Sequence, residues 1–216
     1  MSGQALQNLI FNMLDASVVT LEVFALTLVF SLPLGLLFAA GRMSRCKWLS
    51  LPIGWLLLVV RGTPLILQLI FFYFVPPELL GIGLPRFWAA ILAFSINYGA
   101  YFAEIFRGGI EAVDRGQIEA AKVLGFTKAQ TFFRITLPQV IKIILPSMGN
   151  EFMTLVKDTA LAQTIGVAEI FRLANTSASN NFSTLPIFIA GLFYFVMNGV
   201  VSLSFSYLSR RLSYYK

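Results

Sequence analysis

Histidine is absent from this chain of 216 residues, and cysteine occurs once, as Cys46. The first absence removes the usual zinc sites and imidazole-based general acid–base catalysis. The second removes any internal disulfide and leaves Cys46 as an incidental thiol beside a connector. Charge is scarce too, at 12% of residues against 57% hydrophobic, with a mean hydropathy of +0.79. That composition belongs to an integral membrane protein. There is no G-x-x-x-x-G-K-[ST] phosphate loop, so the chain cannot hold ATP in that way itself. G-x-S-x-G and H-E-x-x-H strings are also missing, which argues against an intramembrane enzyme. The opening residues MSGQALQNL lack a basic n-region, so no cleavable signal peptide is expected.

What is present reads as a single all-α transmembrane domain over residues 1–216. Leu6, Leu9, Ile10, Met13 and Leu14 recur at helical spacing and predict a short interfacial helix over 1–15. Apolar spans follow at 16–40, 50–76, 86–108, 138–157 and 184–209. Each can cross a hydrocarbon core of ~30 Å at ~1.5 Å per residue, giving about five transmembrane helices. The second span carries Arg61-Gly62-Thr63-Pro64, a break that needs shelter at membrane depth. An alternative lays residues 50–60 along the membrane surface, at the cost of a short crossing by 64–76.

The net charge of +6 sits beside these spans and reads as a topology signal rather than a nucleic-acid footprint. Arg42, Arg45 and Lys47 occupy the first connector; Arg115, Lys122, Lys128 and Arg134 the third, with Lys142 close behind; and Arg210, Arg211 and Lys216 the tail. The second connector has only Arg86 and the fourth only Arg172. The expected N-terminus is therefore outside and the C-terminus in the cytoplasm.

That orientation puts the segment Glu119–Pro138, EAAKVLGFTKAQTFFRITLP, in the cytoplasm. Gly125 predicts a turn between two short helices, and Pro138 suits the first residue of the next helix. Glu-Ala-Ala, then Gly after three intervening residues, then nine residues and Ile-x-Leu-Pro resembles the signature loop of the membrane subunits of ABC importers. Glu119, Ala120, Ala121, Gly125, Ile135, Leu137 and Pro138 fill every place. The resemblance implies that residues 115–137 form a coupling loop against a separate cytoplasmic ATPase, where ATP and Mg are held; this chain carries no cofactor. Glu119 is expected at the start of the loop helix, where its dipole favours a carboxylate. Ala120 and Ala121 are expected to leave one face smooth enough for a partner's groove.

Further strings narrow the family. RGTPLILQL from Arg61, AEIFRGG from Ala103 and KDTAL from Lys157 resemble permeases for polar amino acids. Methionine and metal-chelate importers share the coupling loop, so only these strings argue for the amino-acid branch. The resemblance implies a type I importer fold in a bacterial inner membrane. It also implies a second permease subunit, identical or a close paralogue, a pair of ATPases and an extracytoplasmic amino-acid-binding protein. The connector 159–183, with Ala174-Asn175-Thr176-Ser177, resembles an external helical cap where such a binding protein would touch.

Polar residues inside the spans are costly and mark an interior or a cavity. Asn97, Tyr101 and Glu104 share a face of the third span with Tyr98 beside them, and Arg107 is placed to pair with Glu104. Glu151, Thr154 and Asp158 share a face of the fourth, bordered by Asn150. Glu151 has no cation on its own face; its partner is Arg61, the second permease, or a substrate's amino group. The expected substrate path is therefore Arg61, Asn97, Tyr98, Tyr101, Glu104, Asn150, Glu151, Thr154 and Asp158. Two acids on one face point to a cationic amino acid (Arg, Lys or His); Gln, Glu, cystine and methionine are the alternatives. Glu22 is unassigned, and Asn198 reads as helix–helix glue. An ATP-independent carrier is the rival class, but it leaves the signature loop unexplained.

Overall fold

The computed structural model describes residues 3–212, which are almost wholly helical with no strand among them. Lys216 of the expected basic tail lies outside the described residues. The first helix, α1, runs from Gly3 to Arg42 without a break. Its 40 residues span ~60 Å, about twice a hydrocarbon core. The separate interfacial helix expected over 1–15 is therefore corrected: its described residues are the opening turns of α1. Leu9 and Met13 are buried there against Ile170, Ala174 and Ala190, so tertiary packing continues the helix.

At the centre stands α4, Arg86–Glu111, with Ala89, Ala93, Phe94, Phe102 and Ala103 buried. α1 lies along it and carries the buried stripe Thr20, Val23, Thr27 and Ser31, spaced by three and four residues. Small residues let the two backbones approach closely. A Cβ on Gly35 would stand 2.8 Å from the Phe102 Cβ and 3.1 Å from the Gly99 carbonyl oxygen, atoms that cannot swing aside. Gly35→Ala is accordingly expected to force α1 off α4 at a cost of ~1–3 kcal/mol. It would be read as a lower thermal midpoint in detergent, and an unchanged midpoint would contradict this packing.

The span expected over 50–76 is two helices, α2 (Lys47–Gly62) and α3 (Leu65–Leu80), bent by 108° at Thr63-Pro64. The break expected at Arg61-Gly62-Thr63-Pro64 divides the run into two helices, and the bend has a visible shelter. Gln68 donates from Nε2 to the Val60 carbonyl at 2.7 Å and to Thr63 Oγ1 at 2.8 Å. Thr63 Oγ1 in turn donates to the Val59 carbonyl. These side chains satisfy carbonyls that the broken helix leaves open.

The third connector folds as α5 (Arg115–Val123) and α6 (Lys128–Thr131), followed by a π-helical turn, Phe132–Thr136, that runs into α7 (Leu137–Asp158). Pro138 follows this turn without a non-helical gap. Its ring would meet the Arg134 carbonyl in a regular α-helix, and the wider turn accommodates it. Beyond α7 come a 3₁₀ segment, Thr159–Ile165, then α8 (Ile170–Asn181) and α9 (Leu185–Arg211).

Among the described residues, 6–42, 86–111 and 185–211 are each long and apolar enough to cross a membrane, as are α2 and α3 taken together. α7 matches the expected fourth span in extent, but Pro146, Asn150, Glu151 and Asp158 make it too polar to meet that criterion.

A buried knot fixes the N-terminus of α8. Glu169, wholly buried, accepts from the backbone N–H groups of Phe171 and Arg172 and from the Tyr194 hydroxyl at 2.7 Å. Thr20 Oγ1 on α1 accepts from the Ile170 N–H. Burial pushes the Glu169 carboxyl above its ordinary range, against the pull of these donors.

Candidate functional site

The break between α2 and α3 faces the polar sides of α4 and α7 across a cleft of about 450 Å³. That volume lies in the range of small-molecule pockets, ~300–1,000 Å³. Its lining includes Arg61, Asn97, Tyr98, Tyr101, Glu151, Thr154 and Asp158, all named from the sequence, together with Gly62, Thr63, Pro64 and Leu65. The helical period explains the convergence. Asn97 and Tyr101 lie one turn apart on α4, while Glu151, Thr154 and Asp158 keep one face of α7.

Within the cleft, the Tyr98 hydroxyl donates to Asp158 Oδ2 at 2.7 Å. The Arg61 guanidinium lies 5.3 Å from the centre of the Tyr101 ring and 3.9 Å from Glu104 Oε2. The alternative of an Arg61–Glu151 pair is not formed: Arg61 leans to Glu104. Glu151 makes no hydrogen bond and no ion pair within 4.0 Å among the described residues. It is the one cleft carboxylate without a hydrogen-bonding neighbour, since Asp158 has Tyr98.

Two expected path residues lie outside this lining. Glu104 is engaged by Arg107 at 2.6 Å, the pair that their spacing suggests, and Arg107 also reaches Glu111 at 2.6 Å. Asn150 turns toward α9, where a second cleft of about 610 Å³ also contains Thr154, Lys157, Tyr194 and Asn198. Asn198 donates to the Tyr194 carbonyl of its own helix, so no bond to a neighbouring helix is seen. Asn97 lines the main cleft but commits its amide, donating to Gln68 Oε1 at 3.0 Å. Gln68 is the residue that sequence reasoning passed over, although an amide in an apolar run one turn after a break was the available signal. Glu22 is exposed on α1.

The loop 115–137 is firmly built. Asp114 caps α5 by accepting from the Gly116 N–H, and Thr127 with Gln130 forms a reciprocal capping box on α6. Gly125 takes φ +79, closing α5 with Phe126 N–H to the Ala121 carbonyl and Gly125 N–H to the Lys122 carbonyl. Gln139 donates to Gln117 at 2.6 Å, tying α5 to the foot of α7. Two expectations are corrected here. Glu119 lies mid-helix, because α5 begins at Arg115. Ala121 is buried inside the chain itself while Ala120 is exposed, so the two alanines do not form one open face. Among the exposed charged residues of the loop stand three exposed apolar side chains: Val123, Leu124 and Phe133 are 88%, 75% and 65% exposed.

Residues 31–214 match the family described as binding-protein-dependent transport system inner membrane component. The arginine transport system permease protein ArtQ of Bacillus subtilis (strain 168) is 38% identical over 189 residues, covering 85% of this chain and 84% of that protein. The putative glutamine transport system permease protein GlnP of Rickettsia conorii is 35% identical over 194 residues, covering 89% of each. Among solved structures, an amino acid ABC transporter crystallised with histidines aligns at a TM-score of 0.89 and 35% identity, over 98% of this chain and 99% of that one. The chain therefore belongs to the family of binding-protein-dependent transport inner membrane components: it is a multi-pass permease subunit of a type I ABC importer for polar amino acids in the bacterial inner membrane, not an enzyme.

Proposed function

We propose that this permease passes a cationic L-amino acid (Arg, Lys or His) through the cleft between α3, α4 and α7. The carrying observation is Glu151, a carboxylate that faces the cleft with no cation bound to it and has Asp158 on the same lining. A half-buried acid on a membrane-spanning helix is costly unless a positive group joins it. Arg61 on the same lining is suited to the substrate's α-carboxylate, and the Tyr98 and Tyr101 rings to its stem. The names of the relatives support amino acids more broadly, since one is an arginine and another a glutamine system.

Energy comes from a separate ATPase dimer that binds ATP and Mg. It docks on the cytoplasmic loop 115–137, where Glu119, Ala120, Gly125, Leu137 and Pro138 frame the contact and Ala121 holds α5 to the chain. A second permease, identical or closely related, completes the path, and an extracytoplasmic binding protein delivers the substrate. In this arrangement the N-terminus is outside and the C-terminus in the cytoplasm. ATP-driven closure rocks the two permeases, turning the cleft from one side to the other.

The test is ATPase stimulation of the complex in lipid, with binding protein and each of the twenty amino acids in turn. Stimulation confined to Arg, Lys and His is expected. Stimulation by Gln, Glu or cystine alone would remove the cationic reading and keep the importer.

A further inference from the structure

Arg61 stands at the edge of the cleft with two acids near it, and it is bonded to neither. Its Nη1 lies 3.9 Å from Glu104 Oε2, too long for a hydrogen bond, and Glu151 faces it from beyond 4.0 Å. The Tyr101 ring centre is 5.3 Å from the guanidinium carbon. Among the described residues the guanidinium spends none of its donors on a hydrogen bond. The side chain is 41% exposed and lines the cleft.

Glu104, by contrast, is held in place. Arg107 donates to Glu104 Oε2 from Nε at 3.2 Å and from Nη2 at 2.6 Å, while its Nη1 donates to Glu111 at 2.6 Å. These three residues follow one face of α4 at intervals of four and three, so the helix itself fixes the carboxylate. Arg42 adds positive charge at longer range. Glu104 Oε1 accepts no hydrogen bond among the described residues. A fixed carboxylate with a spare oxygen thus stands behind an unbonded guanidinium that also faces the cleft. The α-carboxylate of an amino acid is the same chemical group, and a guanidinium fork matches one carboxylate at a time in its bidentate geometry.

We propose that Glu104 is a positioning residue that competes with the substrate's α-carboxylate for Arg61. The inference rests on the reading above in which Arg61 takes that carboxylate. Entry of an amino acid draws the guanidinium off Glu104 into a bidentate pair, and departure of the amino acid returns it. The internal acid keeps the affinity of the cleft low, which suits a subunit that hands its cargo on rather than retaining it. Arg107 sets the strength of the competition, because it shares the Glu104 carboxylate with Arg61.

The test is equilibrium binding of L-arginine and L-glutamine, each beside its methyl ester, to the whole transporter in nanodiscs without binding protein. Glu104→Gln is expected to tighten binding of the free amino acid about twofold to fivefold, the range of a part-exposed ion pair. Arg107→Gln is expected to weaken it by a similar factor, since Glu104 then gives its whole charge to Arg61. The esters carry no carboxylate and are expected to respond to neither change. In an Arg61→Gln background both effects are expected to vanish. A purely structural Glu104–Arg107 pair would lower the thermal midpoint and weaken binding in both variants, so losses of the same sign would overturn the competition. Unchanged affinities, or equal shifts for acid and ester, would overturn it too. Equal binding of acid and ester by the wild-type complex would instead overturn the assignment of Arg61 to the carboxylate. Binding of neither amino acid by the wild-type complex would remove the substrate cleft itself.

Discussion

Leu124→Asp is expected to abolish ATP-driven uptake while leaving the membrane domain folded. Leu124 ends α5 and is 75% exposed, with Val123 beside it at 88% and Phe133 at 65%. Exposed apolar clusters of this kind mark contact sites. Burying one such side chain in a partner's groove contributes ~1.5–3 kcal/mol, about one to two orders of magnitude in affinity. An aspartate there loses that contribution and adds the cost of desolvating a charge. The loop holds its shape without Leu124, because Asp114, Gly125 and the Thr127–Gln130 box fix both short helices. Glu119→Lys is expected to act in the same direction through charge reversal, from an exposed position in the middle of α5. Both effects would be measured as co-purification of the ATPase and uptake into proteoliposomes, beside the thermal midpoint of the permease. Full coupling by Leu124→Asp would put the ATPase contact elsewhere.

Glu151→Gln is expected to weaken the response to arginine by about tenfold to a hundredfold while changing the response to glutamine by less than about threefold. The arithmetic follows from what the side chain does in the free protein. Glu151 has no hydrogen bond to lose, so the isosteric amide leaves the cleft lining intact and removes only a charge. A charge-assisted contact to a cationic substrate contributes ~1.5–3 kcal/mol, whereas a neutral side chain gains little from a carboxylate there. Asp158→Asn differs. It deprives the Tyr98 hydroxyl of its acceptor carboxylate, so it is expected to affect every substrate and to lower stability as well. The discriminating measurement is half-maximal stimulation of the ATPase by arginine and by glutamine in each variant. Equal losses for both amino acids in Glu151→Gln would make Glu151 a structural group rather than a reader of substrate charge.

Much of this was legible in the chain because it depends on local order. Hydropathy over twenty-residue windows marks spans without reference to packing. The three- and four-residue periods put Asn97 with Tyr101 and Glu151 with Asp158 whatever surrounds them. The Glu104–Arg107 pair and the turn at Gly125 are equally short-range, and both appear in the structure. Spacing alone also carried the family, since the signature loop is a pattern along one strand of text.

Other features needed the third dimension. The unbroken α1 depends on Leu9 and Met13 meeting Ile170, Ala174 and Ala190, residues far along the chain. A helical period shows which face is apolar but not whether lipid or protein covers it; at Leu9 and Met13 protein does. The bend of 108° at Thr63-Pro64 is held because Gln68 on α3 donates back to the Val60 carbonyl of α2, and Asn97 on α4 donates to Gln68 in turn. Asn150 borders the Glu151 face in projection, yet the rotation of α7 set by its packing on α4 and α9 sends it to a different cleft. Local rules order side chains along one helix, whereas the angle and rotation between helices come from close packing, and only these decide which polar groups face one another.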